Sequence, residues 1–61
     1  MCEFTVILDG ETVFRDVVYA KSAEGTVTVK SILGETKQFK DAQIVEVNVH
    51  STRLVLQSIR K

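Results

Sequence analysis

Cys2 is the only cysteine in this 61-residue sequence, and it directly follows Met1. A thiol at that position sits beside the α-amine of the chain. The amine, the first peptide nitrogen and the Cys2 sulfur can close adjacent five-membered rings about one metal ion. A thiolate with nitrogen donors suits borderline and soft divalent metals, and a tetragonal array of such donors suits Ni(II) or Cu(II). With Met1 removed, the Cys2 amine and thiolate still chelate. Coordination through an amide nitrogen requires loss of its proton, so affinity is expected to rise with pH. The alternative reading of Cys2 is a small apolar residue at the start of a strand.

His50 is the one imidazole. It is either an exposed polar residue beside a turn or an added donor for nickel, copper or zinc. One Cys and one His do not fill a closed tetrahedral zinc site, which takes four protein donors. A dimer doubles the set, so a metal at Cys2 largely stands or falls with a second protomer.

Catalysis is a poor fit. Nucleophilic chemistry wants a thiol or hydroxyl beside a positioned base, and no nucleophile-elbow or phosphate-cradling motif accompanies Cys2 and His50. Gly10, Gly25 and Gly34 all fall in expected turns. The carboxylates mostly border turns, where solvation accounts for them. Tyr19 and Phe14 could stack on bases, as aromatics on small nucleic-acid binders do, whereas core packing accounts for Phe4, Phe14 and Phe39. The chain is therefore read as no enzyme.

Eight basic and eight acidic residues balance to zero net charge. That weakens a nucleic-acid reading, because non-specific affinity comes from neutralising phosphates. The cations are scattered along the chain, and only Arg60 and Lys61 are adjacent. No secretory signal or membrane-length apolar run is present, and a lone thiol fits a reducing interior; a cytoplasmic protein is expected. A single domain over 1–61 of this size buries only about 60% of its unfolded surface. Such small cores are supported by disulfides, a metal or oligomerisation. One cysteine excludes an internal disulfide, which leaves a metal, a homodimer or both.

The elements that must position these residues are strands. Cys2 to Leu8 alternates with period two, placing Cys2, Phe4, Val6 and Leu8 on one face. Asp9-Gly10 is a hairpin signal, since both residues tolerate positive φ. Thr12 to Lys21 forms a second run whose alternation breaks at Arg15 and Asp16, so a bulge or bend is expected there. Ser22 to Gly25 reads as a turn. Thr26 to Lys30 alternates cleanly and continues through Leu33, Gly34-Glu35 turns, and Thr36 to Lys40 is a short strand. Asp41 could cap one 3₁₀ turn over Asp41-Ala42-Gln43. Ile44 to His50 places Val45, Val47 and Val49 inward and Glu46, Asn48 and His50 outward. Ser51-Thr52 turns, and Arg53 to Ile59 is the last strand. β-Branched residues dominate, which suits strands and not helices. The expected fold is all-β: a small SH3/Sm-like β-barrel of five or six antiparallel strands, homodimeric, closed so that no valine-rich edge is left exposed.

The Met1-Cys2-Glu3 start, the Asp16-Val17-Val18 and Gly25-Thr26-Val27-Thr28-Val29 segments and the closing Ile44-to-Ile59 hairpin resemble the CooT-type small nickel-binding proteins. These are linked to maturation of nickel-containing carbon monoxide dehydrogenase. The resemblance spans essentially the whole chain, although only Met1-Cys2 is a functional signature. It implies a homodimer binding Ni(II) through Cys2 at the subunit interface, with Met1 as a backbone donor. It also implies a nickel enzyme or its maturation factors as partners. His50 matches no ligand of that family. Relatives of this layout are also labelled RNA-binding, and an RNA-binding module of SH3/Sm-like type is the alternative.

Overall fold

The computed structural model describes residues 3–59, so Met1, Cys2, Arg60 and Lys61 lie outside the described residues. Six strands account for most of it: β1 Phe4–Leu8, β2 Glu11–Ala23, β3 Thr26–Ser31, β4 Thr36–Lys40, β5 Ala42–Asn48 and β6 Arg53–Ser58. They form one sheet in the order β4-β3-β2-β1-β6-β5. No element among the described residues is a helix, and none is therefore long and apolar enough to cross a membrane.

The expected turns form where the sequence permits positive φ. Asp9 and Gly10 have φ of 51° and 86°, the signature of a two-residue turn whose twist matches its flanking strands. Leu8 and Glu11 pair directly across it. Glu24 and Gly25, with φ of 52° and 76°, make the same kind of turn. β2 runs on to Ala23 before that turn, so Ser22 belongs to the strand. β3 stops at Ser31 rather than continuing to Leu33. The buried Ser31 hydroxyl accepts the Leu33 and Glu35 amides at 3.2 Å each, which folds the chain back into β4.

β2 is long enough to serve both neighbours only because it bends. Phe4 pairs with Val17 and Val6 with Phe14, leaving one extra residue on β2. The break falls at the expected place: Asp16 has φ of 59°, and its carbonyl accepts the Ile32 amide at 2.8 Å. Two further irregularities lie at Val13, between the Val6–Phe14 and Ile7–Thr12 pairs, and at Val18, between the Val17–Ser31 and Tyr19–Lys30 pairs. Bulges of this kind increase local twist and bend the strand.

Two expectations about architecture are corrected. The sheet is not a closed barrel: hydrogen-bonded pairing ends at β4 on one side and β5 on the other. Asp41 alone joins these two edge strands, in the left-handed region at φ 56°, and Ala42 begins β5 directly, so no 3₁₀ turn forms. The tightest common antiparallel hairpins need a two-residue loop. A one-residue corner sends β5 away from β4, so the two edges cannot pair as a hairpin. The corner is held by the Ala42 amide on the Gly25 carbonyl at 3.0 Å and the Ile59 amide on the Asp41 carbonyl at 2.9 Å. Nor are the strands all antiparallel, because β1 and β6 pair in parallel from Thr5–Arg53 to Leu8–Leu56.

The core occupies the concave side. Val6, Val17, Val27, Val29, Phe39, Ala42, Leu54 and Leu56 are buried there, with Phe4, Leu8, Val13, Phe14 and Ile44 packed against them. The expected burial of the β5 valines is corrected, although Val47, opposite buried Leu54, does face the core side. A bulge between the Ile44–Leu56 and Glu46–Val55 pairs makes Val45 the extra residue, and Val45, Val47 and Val49 are all exposed.

Candidate metal centre

The described chain begins at Glu3, half-buried, and enters β1 at Phe4. What surrounds this end of β1 is decided by the parallel pairing with β6. Parallel strands start at the same end of a sheet, so the β5–β6 turn that precedes Arg53 lies beside the start of β1. The Thr5 amide donates to the Thr52 carbonyl at 2.9 Å, fastening the two together. The turn is shaped by the Asn48 side-chain carbonyl, which accepts the Ser51 amide at 3.1 Å, and by the Thr52 amide on the Val49 carbonyl at 3.3 Å. His50 sits in that turn and is exposed. In an all-antiparallel arrangement with β6 beside β1, the turn would lie at the far end of β1.

Met1 and Cys2, the metal ligands expected from sequence, lie outside the described residues. Among the described residues no three His, Cys, Asp or Glu side chains gather closely enough to hold a metal ion. Of the donors weighed from sequence, His50 alone lies among the described residues, in the turn beside the start of β1. Mixed nitrogen and thiolate donors fit Ni(II) by type. Sequence spacing alone did not connect His50 with the N-terminal end; the strand order does.

Beside the same end is a feature the alternation pattern missed. Because the sheet does not close, the concave face opens between β2 and β5 into an apolar groove of about 250 Å³. Phe4, Val17, Tyr19, Ile44, Val47 and Leu54 line it. Phe4 and Val17 pair across β1 and β2, and Val47 and Leu54 pair across β5 and β6. The groove therefore continues the core outward, starting at the first residue of β1. The only hint in the sequence was the surplus of large apolar residues on β5.

A family model described as CO dehydrogenase accessory protein CooT matches residues 1–57. No curated protein matches the chain.

Proposed function

This chain belongs to the CO dehydrogenase accessory protein CooT family, and from that premise we propose that it carries Ni(II) for assembly of that nickel enzyme. The metal is cargo, bound by the Cys2 thiolate and by nitrogen donors of Met1 and Cys2. One observation carries this reading: the family match begins at Met1, so the only chelating terminus in the sequence lies inside the matched region. His50 supports it, because the β5–β6 turn delivers an imidazole to the end of the sheet from which Met1-Cys2 extends.

The carrier is a homodimer in this reading. A groove that opens at Phe4 and exposes apolar side chains along an edge strand is what a small marginal core would cover with a second copy. A partner seated there brings both chain termini to one interface and doubles the donors, giving two thiolates and two imidazoles. The test is a titration of the purified protein with Ni(II), followed by thiolate-to-nickel charge-transfer absorption. The parent protein shows the band and Cys2→Ser does not. A Cys2→Ser protein that binds nickel as tightly as the parent would sink the reading.

A further inference from the structure

We propose that the open edge of β4 takes up an extended acidic segment of a partner protein as an added strand. Hydrogen-bonded pairing ends at β4, and the Asp41 corner turns β5 away from it, so no described strand covers its outer side. The pairing with β3 fixes which backbone groups face that side. The Ser31 amide donates to the Glu35 carbonyl at 2.8 Å, and bonded and non-bonded pairs alternate along an antiparallel ladder. Lys37 and Phe39 therefore turn their amides and carbonyls toward β3, while Thr36, Gln38 and Lys40 present theirs to the open edge. Such a row is what a strand from another chain pairs with.

Charge decides which strand is admitted. β4 reads Thr-Lys-Gln-Phe-Lys, with lysines at 37 and 40 and no carboxylate. Pairing β4 with a second copy of itself would crowd the lysines of both copies into one seam, and lysine on an edge guards against such pairing. An acidic strand turns the same lysines into attraction. Glu35 and Asp41 flank β4 at its two ends, so the lysines act on the stretch between them.

Register places the acids. Val27, Val29 and Phe39 are buried in the core, so the alternate residues of β3 and β4 face away from it. On that outer face Lys40 stands beside Thr26, Gln38 beside Thr28 and Thr36 beside Lys30, with Lys21 beyond Thr28 on β2. Neighbouring strands lie about 4.8 Å apart, which puts Lys30 within the combined reach of a lysine and a glutamate from an added strand. A shallow depression of about 290 Å³ opens on the same face among Lys40, Gln38, Thr28 and Lys21, with Glu24 at its rim. Carboxylates leaning in from the edge meet ammonium, hydroxyl and amide donors there. The incoming segment thus carries Asp or Glu at every second position, on the outer side. Its other residues meet Lys37, whose Nζ lies 6.0 Å from the Phe39 ring centre, and uncharged side chains suit that side. β3 and β2 stand between this edge and β1, so the site is separate from the N-terminal end.

The experiment is fluorescence anisotropy with a labelled peptide of about eight residues alternating Glu and Thr, the length of an ordinary strand. The parent protein binds it, and raising salt from about 50 to about 500 mM weakens binding several-fold. Gln38→Pro removes an outward amide and keeps the β3 pairing, because proline is tolerated where a strand's N–H faces an open edge. It lowers affinity about tenfold or more while the far-UV spectrum stays unchanged. The same peptide with every amide N-methylated keeps its charges, loses its donors and binds the parent about tenfold or more weakly. Lys30→Gln with Lys40→Gln lowers affinity about fivefold, whereas Lys37→Gln, on the core side, changes it less than about twofold. Cys2→Ser binds as the parent does, which separates this edge from the nickel reading. The proposal is overturned if the parent does not take up the peptide, if Cys2→Ser loses it, or if an alternating Gln-Thr peptide binds as tightly. It is equally overturned if Gln38→Pro or the methylated peptide leaves binding intact, since charge alone would then hold the segment. A Gln38→Pro protein that is monomeric where the parent is dimeric would give the edge to a second copy and overturn it as well.

Discussion

Val47 and Leu54 stand opposite each other in the β5–β6 ladder, yet Leu54 is 4% exposed and Val47 57% exposed. Paired residues share a side of the sheet, so Val47 faces the core side and is simply not covered. Leu54 is enclosed because β6 lies between β1 and β5, whereas β5 is an edge. The asymmetry across one rung marks where the folded chain runs out of its own material to cover apolar surface.

Two substitutions on that rung should part company. Leu54→Ala removes buried methyl groups from a close-packed site and is expected to cost about 2–5 kcal/mol, measured by urea denaturation. Val47→Lys places a charge on exposed surface and should leave the stability of the folded protomer within about 0.5 kcal/mol. Its effect belongs to self-association: sedimentation should show a dimer for the parent and a monomer for Val47→Lys at the same concentration. If both sediment as monomers, the groove is not a homodimer interface.

Nickel affinity should depend on the terminal thiol and on pH in a fixed direction. Binding through a thiolate and an amide nitrogen releases protons, so affinity rises as pH rises. Removing a partner of a metal ligand typically costs about 10–100-fold, and removing the ligand itself by Cys2→Ser should exceed that range. Calorimetry at two pH values checks both points. An affinity that is flat with pH argues against amide and thiolate donors.

His50→Gln should give an intermediate result. The imidazole lies in a turn fastened to β1 through the Thr5 amide and the Thr52 carbonyl. Its loss is expected to weaken Ni(II) binding about tenfold, at the lower end of what a supporting group contributes. The thiolate-to-nickel absorption band should survive, because Cys2 is intact. An unchanged affinity would return His50 to the status of an exposed turn residue.

Much of the local structure was legible in residue types. Asp9-Gly10 announced a two-residue hairpin, and the broken alternation at Arg15 and Asp16 announced the bend in β2. What escaped was everything set by long-range pairing. Period two is the same in parallel and antiparallel strands, so nothing in Phe4–Leu8 or Arg53–Ser58 shows that they run together. The placement of His50 beside the N-terminal end follows only from that pairing. Alternation also reports which side Val47 faces, not whether anything covers it. Lys21, Lys30 and Lys40 look scattered because they are separated in sequence, and only the β2–β3–β4 register gathers them. The Asp41 corner was misread because Asp favours caps and single left-handed residues alike.

Asp16 offers a direct test of the bend on which this arrangement depends. Its φ of 59° lies where a β-carbon is crowded, and Asp tolerates that region better than a branched residue does. The strand must bend there because Phe4 pairs with Val17 while Val6 pairs with Phe14. Asp16→Val should therefore destabilise the protein by about 1–2 kcal/mol, although the site is exposed and valine favours strands elsewhere. Asp16→Gly should be neutral or slightly stabilising, since glycine adopts positive φ without penalty. Denaturation midpoints of the two variants against the parent decide the matter. A valine variant as stable as the parent would mean that β2 can cross from β1 to β3 without the left-handed residue.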